Sequence, residues 1–160
     1  MLSYYWQTLL HKFWVAFYLG RIAGRLLWRA LWHDMSKLGL FEARHFTPHL
    51  KRLRGSTYGS AEYEQMRKED LKAAIDHHYA RNRHHPEFHE GGVEAMTVVD
   101  WIEMLADWAS AVKRHADGDL AVSLVKNRER FGYSEARLEL FRKVCRDFGL
   151  LEGDGEEAGK

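Results

Sequence analysis

The stretch Ala30-Leu31-Trp32-His33-Asp34-Met35-Ser36-Lys37-Leu38-Gly39-Leu40-Phe41-Glu42 places polar, reactive side chains directly after an apolar and aromatic run. His33 and Asp34 are neighbours, so on a helix their side chains would point about 100° apart. Both can therefore serve one site only across their shared edge or near a helix end. Gly39 provides such an end, because glycine tolerates the left-handed conformation that terminates helices. The alternative is a core histidine that is hydrogen bonded to its aspartate.

Helical periodicity dominates the chain on both sides of this stretch, and no alternating run of strand length occurs. The aromatic-rich segment 2–22 predicts a helix that is buried on most sides. Gly20 and Gly24 predict a loosened join to a second helix over about residues 25–35. Ser134 is a plausible N-cap of the last helix. The sequence therefore predicts an all-α fold, a compact bundle of about six helices.

The composition favours one ordinary globular domain. The chain has 160 residues, with 24 basic and 23 acidic side chains, although the first 33 residues contain no acidic one. We expect a single domain over 1–150 and a flexible, Gly- and Glu-rich tail over 151–160. The near-zero net charge does not indicate nucleic acid, and no apolar run reaches the length of a membrane span. Trp6 is a candidate residue of a homodimer face.

Cys145 is the only cysteine of the chain, so it cannot form an internal disulfide. A single cysteine fits a reducing compartment, and we therefore expect a cytoplasmic protein. Cys145 lies in an amphipathic helical pattern. It is therefore interpreted as a small core residue and not as a nucleophile.

Histidines are concentrated in one short segment. Five of the ten histidines of the chain fall between His77 and His89. A short His-rich tract often indicates metal binding, and a solvated loop without function is the alternative. Within the tract, His78 and His85 are our first choice of ligands. His77 and His84 are the substitutes in the same register, because both pairs are seven residues apart.

Three carboxylates recur at helical spacing in the segment 93–115. Asp100, Glu103 and Asp107 are spaced i, i+3 and i+7, so they share one helix face, next to core-type residues. Buried carboxylates without a partner would cost several kcal/mol each, on the order of the usual desolvation penalty. We therefore expect a cation at this face, held together with the histidine-bearing segments.

Four segments thus offer metal ligands: His11, the pair His33 and Asp34, the His77–His85 tract, and Asp107 with its neighbours. Mixed imidazole and carboxylate ligands suit Mn, Fe, Co, Ni or Zn better than Mg or Ca. Such an ion lowers the pKa of bound water and polarises a phosphoryl oxygen, which favours hydrolysis of phosphate esters. A Gly-rich phosphate loop of the Walker type is absent from the sequence.

The pattern of these residues resembles the HD-domain superfamily of metal-dependent phosphohydrolases. Its members are all-helical and bind metal through an early His, a His-Asp doublet and a later Asp. The resemblance implies the ligands His11, His33, Asp34 and Asp107, with Asp34 as the bridge if two ions bind. Lys37 lies where many members have a catalytic Lys or Glu. The sequence is also similar, over about 10–110, to a small family found in phage and bacterial genomes.

The resemblance does not extend to a particular substrate. The Gly-Tyr-Pro signature of cyclic-dinucleotide phosphodiesterases is absent, and so is the acidic pair that follows His-Asp in guanosine-tetraphosphate hydrolases. The additional histidines imply a second ion, held by His78 and His85. We therefore expect one or two divalent transition-metal ions and a small phosphorylated substrate, a nucleotide or another phosphate ester.

The expected hydrolysis of a phosphate ester also suggests roles for residues near the metal ligands. Lys37 would neutralise a phosphoryl oxygen or orient water, and Glu103 would act as a general base or position a ligand. Arg81 and Arg83 are candidates for phosphate binding. Glu42 either bonds a ligand histidine or serves as an ordinary carboxylate at a helix start.

Two other functional classes are compatible with such a site. One is a di-iron oxygenase, because mixed His and Asp sites of this superfamily also support O₂ chemistry. The other is a metal-stabilised protein that binds a nucleotide without turnover. Bound iron with O₂ consumption, or tight binding without product, would distinguish them from a hydrolase.

Overall fold

The computed structural model describes residues 2–55, 61–114 and 118–151. These residues form α-helices and short 3-10 helices, and the described part of the chain contains no strand. The predicted all-α fold is confirmed. The chain divides into two units, Met1–His33 and Asp34–Lys160. Most of the predicted flexible tail, residues 152–160, lies outside the described residues.

The first unit consists of one continuous helix, α1 (Leu2–Trp32). Gly20 and Gly24 do not interrupt it, so the predicted join between two helices is wrong. Nothing lies within 4 Å of a Cβ built at either glycine, and a glycine inside a helix costs only about 1 kcal/mol relative to alanine. Good helix formers flank these glycines and can keep the helix intact through these two positions. They are Leu19, Arg21, Ala23 and Arg25.

The side chains of α1 are exposed, which contradicts the expectation of a helix that is buried on most sides. Trp6 is 68% exposed and Trp28 60% exposed. The aromatic rings contact one another along the helix, as in the stacked pair of Trp14 and Tyr18. Among the described residues, no helix combines the length and the hydropathy of a membrane span. The homodimer face that includes Trp6 stays a prediction.

The second unit begins with short elements and ends with long ones. Its α-helices are α2 (Leu40–Phe46), α3 (Leu50–Gly55), α4 (Ala61–Lys68), α5 (Lys72–Tyr79), α6 (Val98–Val112), α7 (Leu120–Phe131) and α8 (Glu135–Asp147). Its 3-10 helices are Met35–Leu38, Thr47–His49, Pro86–Phe88 and Gly92–Ala95. Helix α2 packs against α5, and α6, α7 and α8 pack against one another.

The core of the second unit lies between α6, α7 and α8. Leu105, Leu124, Phe141 and Cys145 are at most 1% exposed and belong to one apolar cluster. Burial raises the pKa of the Cys145 thiol to about 11, which keeps the thiol protonated and confirms its interpretation as a core residue. Leu151, which we expected in the tail, packs against this core.

Side-chain caps define where the long helices begin. Thr97 and Asp100 form a reciprocal capping box at the start of α6, and Asp119 accepts from two backbone amides of α7. Ser134 accepts from the amide of Arg137 at the start of α8, so the predicted N-cap is confirmed. Such caps satisfy amides that have no partner within the helix and fix the position of α6, which carries Glu103 and Asp107.

We predict that Leu124→Ala destabilises the second unit by about 2–5 kcal/mol, because Leu124 is completely buried and the truncation leaves a cavity. The matched control is Val122→Ala on the same helix, where Val122 is 49% exposed. The control should change the free energy of unfolding by less than about 1 kcal/mol. Urea unfolding followed by circular dichroism measures both. Equal effects would contradict the described core.

Candidate metal site

Asp34 begins the second unit in an unusual backbone conformation. Its φ of 56° and ψ of 21° lie in the left-handed region, and Asp34 is the only non-glycine residue with positive φ among the described residues. Aspartate tolerates this region better than most residues, yet such a conformation is uncommon and often occurs at functional sites. The carboxylate of Asp34 forms an ion pair with Lys37 through Oδ2. Its second oxygen, Oδ1, faces two histidines.

The first of these histidines is His78, on α5. Its Nε2 lies 3.3 Å from Asp34 Oδ1. At the other side of the ring, Nδ1 donates to Glu42 Oε2 at 3.2 Å. Glu42, on α2, is fully buried, and its other oxygen accepts from His77 Nδ1 at 2.9 Å. The contact with Glu42 favours the tautomer with the proton on Nδ1, in which the lone pair of His78 Nε2 is directed toward Asp34.

His84 is the second histidine that faces Asp34. It lies in the loop after α5, is 1% exposed, and its Nε2 is 3.4 Å from Asp34 Oδ1. Its Nδ1 lies 3.2 Å from Oε1 of Glu103 on α6. A carboxylate again binds the far nitrogen of the ring and directs the near nitrogen inward. Pairs of this kind orient histidines that bind metal ions.

His85 completes the group. Its Nε2 lies 2.9 Å from His78 Nε2. Since the His78 proton is on Nδ1, the two facing nitrogens either share the proton of His85 or bind a common cation. Burial, followed by the charges of the neighbouring His84 and His78, lowers the pKa of His85 to about 3. Burial also lowers the pKa of His78, so both rings are neutral at pH 7.

These four side chains have the donor atoms and spacing of a metal site. Ligand atoms of Asp34, His78, His84 and His85 all lie within 4.8 Å of one another, and the contacts described above range from 2.9 to 3.4 Å. Two ligands that each lie about 2.0–2.2 Å from one ion are separated by similar distances. Neutral imidazoles and a carboxylate also suit a divalent transition metal.

Two further residues border this group. A carboxylate oxygen of Asp107 lies within 4.8 Å of one of Asp34, and the charge of Asp107 opposes the lowering of the His85 pKa. Lys37 is partly exposed and holds Asp34 Oδ2. The predicted residues Asp34, His78, His85 and Asp107 therefore lie together in the second unit. His84, predicted only as a substitute, joins them.

His11 does not reach the end of its own helix. It lies within α1, 21 residues before Trp32, so roughly 30 Å of helix separates it from that end. The continuous helix therefore contradicts a metal site shared by His11 and His33, and we leave His11 out of the proposed ligands. His33 directly follows α1 and is the last residue of the first unit. Its ligand role stays a prediction.

His77 lies apart from the four clustered ligands. Its Nδ1 donates to Glu42, and its ring packs on Phe41 with centroids 4.6 Å apart. The tract therefore contributes three candidate ligands, because the turn after α5 lets the adjacent residues His84 and His85 both lie near His78. Spacing by seven residues assumes a continuous helix and could not anticipate this arrangement.

Asp100 has a structural partner and does not face the cluster. It is fully buried, accepts from the amide and hydroxyl of Thr97 at 3.0 and 2.7 Å, and accepts from Arg83 at 3.2 Å. Burial alone would raise the Asp100 pKa, but these contacts outweigh it and lower the pKa. Arg83 thus contacts an acidic side chain already, while Arg81 is exposed. Phosphate binding by either arginine stays a prediction.

Two residues that contact the cluster were not predicted from the sequence to belong to the site. Ser36 Oγ lies 3.1 Å from His78 Nδ1 and accepts from the amide of Asn82 at 2.7 Å. The same amide donates to the carbonyl of His78 at 2.7 Å. Ser36 and Asn82 therefore link the turn after Asp34 to the end of α5, and both were visible only as ordinary polar residues of the motif and the loop.

The fold and the cluster together define an all-helical protein with a candidate metal site. The chain belongs to the family of unknown function DUF5662, whose family model matches residues 1–148. No curated protein and no solved structure matches the chain.

We predict opposite tautomers for two groups of histidines. His78 and His84 should carry the proton on Nδ1, because a glutamate lies 3.2 Å from that nitrogen in each ring, nearer than Asp34 lies to Nε2 at 3.3 and 3.4 Å. His89 should carry it on Nε2, which donates to the carbonyl of Arg83 at 2.8 Å. Long-range ¹H–¹⁵N spectra of metal-free protein at neutral pH distinguish the two forms. Protonated Nε2 at His78 or His84 would contradict the described orientation.

Proposed function

We propose that this protein is a metal-dependent phosphohydrolase that acts on a small phosphate ester. The observation that carries the proposal is the convergence of His78 Nε2 and His84 Nε2 on Asp34 Oδ1, at 3.3 and 3.4 Å. Each of these two rings is held by a carboxylate on its far side. Such an arrangement is typical of built metal sites and unusual in an ordinary polar core.

The proposed ligands are Asp34, His78, His84 and His85, with Asp107 beside them. A divalent ion of Mn, Fe, Co, Ni or Zn suits these donors, and the number of ions, one or two, is part of the test. When bound, such an ion supplies a Lewis acid for a phosphoryl oxygen and activates water. The resemblance of the His-Asp motif to the HD-domain superfamily supports this chemistry. His33 would extend the ligand set, as that resemblance implies.

Residues around the ligands would bind the phosphate of the substrate and position the ligand histidines. Lys37 is partly exposed beside Asp34, so its ammonium group can bind a phosphoryl oxygen while it screens the carboxylate. Glu103 contacts His84 Nδ1, which favours a positioning role over that of a general base. Glu42 positions His78 in the same way.

The location and partners of the protein complete the proposal. Cys145 is free and buried, which agrees with a reducing compartment, and we propose a cytoplasmic protein. We propose a small phosphorylated molecule as the substrate, because phosphate is the group that a Lewis acid and a nearby lysine bind together.

The test is the metal content and phosphate-ester turnover of purified protein. We predict about one or two equivalents of a transition metal, metal-dependent phosphate release, and loss of both in Asp34→Ala and His84→Ala. The matched control is His45→Gln, since His45 contacts the carbonyl of Phe41 and not the cluster. Glu103→Gln should keep the fold and weaken metal binding by about 10–100-fold.

Three results would contradict the proposed function. Equal metal content in wild-type and Asp34→Ala protein would exclude the cluster as the metal site. Bound iron with O₂ consumption and no phosphate release would select an oxygenase. Bound metal without turnover of any nucleotide or phosphomonoester in the screen would select a binding protein. Circular dichroism of each variant distinguishes loss of ligands from loss of fold.

A further inference from the structure

A cavity of about 490 Å³ lies next to the cluster in the second unit. This volume is in the range of small-molecule sites, about 300–1,000 Å³. Residues of helices α4, α5 and α7 and of the 3-10 helix Pro86–Phe88 line it, and it is open to solvent on one side. The lining consists of Arg67, Lys68, Lys72, Ile75, Asp76, Tyr79, Ala80, Glu87 and Arg130.

Cationic side chains dominate this lining. Arg67, Lys68, Lys72 and Arg130 face two acidic residues, Asp76 and Glu87. Lys72 pairs with Asp76, and their side chains are 66% and 58% exposed. Exposed pairs of this kind contribute little energy, typically about 0–1 kcal/mol, so an incoming anion can replace them. The cavity therefore favours a ligand that carries negative charge.

Tyr79 connects the cavity to the cluster. Its ring lines the cavity and also contacts the ring of His85, with centroids 4.8 Å apart. Arg130 donates to the Tyr79 hydroxyl at 3.2 Å and to Glu87 at 2.7 Å. A guanidinium group is therefore fixed at the hydroxyl of Tyr79, whose ring also contacts a proposed metal ligand. Tyr79 and Ile75 provide apolar surface in the same cavity.

We propose that this cavity is a second site, separate from the metal ligands, that binds a nucleoside monophosphate with its phosphate on the cationic side chains and its ring on Tyr79 and Ile75. Arginine and lysine bind phosphate through charge-assisted hydrogen bonds, and aromatic side chains bind bases by stacking. The proposal goes beyond the proposed function, because none of the proposed metal ligands lines this cavity. Binding to the cavity itself does not require a metal ion.

The first test is binding of adenosine monophosphate to the full chain, measured by isothermal titration calorimetry with EDTA present. Adenosine and inorganic phosphate serve as separate probes of the two halves of the ligand. We expect the monophosphate to bind at least about tenfold more tightly than either probe, because one charge-assisted hydrogen bond contributes about that factor. Equal binding of adenosine and its monophosphate would overturn the cationic site.

Charge variants locate the binding. Lys68→Glu should weaken binding of the monophosphate by about tenfold or more, and Lys72→Gln should weaken it to a smaller extent. The matched control for Lys72→Gln is Lys143→Gln, because Lys143 pairs with Asp147 on α8 at the same i, i+4 spacing. Unchanged affinity in Lys68→Glu, or equal losses in the matched pair, would overturn the proposal.

The two proposals can fail separately. Asp34→Ala should lose metal and turnover but retain binding of the monophosphate, because Asp34 does not line the cavity. Wild-type protein that binds the monophosphate and releases no phosphate from any ester would leave the cavity in place and remove the hydrolase. Metal-dependent hydrolysis by wild-type protein that does not bind the monophosphate in the presence of EDTA would keep the hydrolase and overturn the cavity as a binding site.

Discussion

Two carboxylates placed inside the protein hold the candidate site together. Glu42 is fully buried and the side chain of Glu103 is 9% exposed, so each would be costly without a hydrogen-bond donor. Imidazole Nδ1 groups of His78 and His84 satisfy that requirement. The same contacts turn the opposite nitrogens of both rings toward Asp34. Satisfying the buried charges therefore also creates the convergent lone pairs that a metal ion binds.

The architecture of the second unit follows from this arrangement. Helix α2 brings Glu42 to α5, and α6 brings Glu103 to the loop that carries His84. Helix α6 also contributes Leu105 to the fully buried core with α7 and α8. Its capping box fixes the beginning of that helix through Thr97 and Asp100. Core packing thus positions Glu103 with the precision that an oriented histidine needs.

The sequence identified most of the residues of the candidate site, but it did not predict where helices continue or end around them. Periodicity and caps predicted the helical fold, and Asp34, His78, His85 and Asp107 do lie in one region. Continuity of α1 through Gly20 and Gly24 was not predicted, because the cost of a glycine in a helix is only about 1 kcal/mol and good helix formers on both sides can offset it. His11 was therefore assigned to one site with His33, although roughly 30 Å of continuous helix separates His11 from the end of α1. His84 was undervalued because a loop, unlike a helix, lets adjacent residues face the same group.

X-ray absorption at the edge of the bound metal tests the central claim most directly. The account predicts imidazole ligands at about 2.0–2.1 Å, the usual distance for zinc-like sites, with a multiple-scattering pattern that loses one imidazole in His84→Gln. A spectrum fitted by oxygen ligands alone, or one that is unchanged in that variant, would contradict a metal site formed by Asp34, His78, His84 and His85.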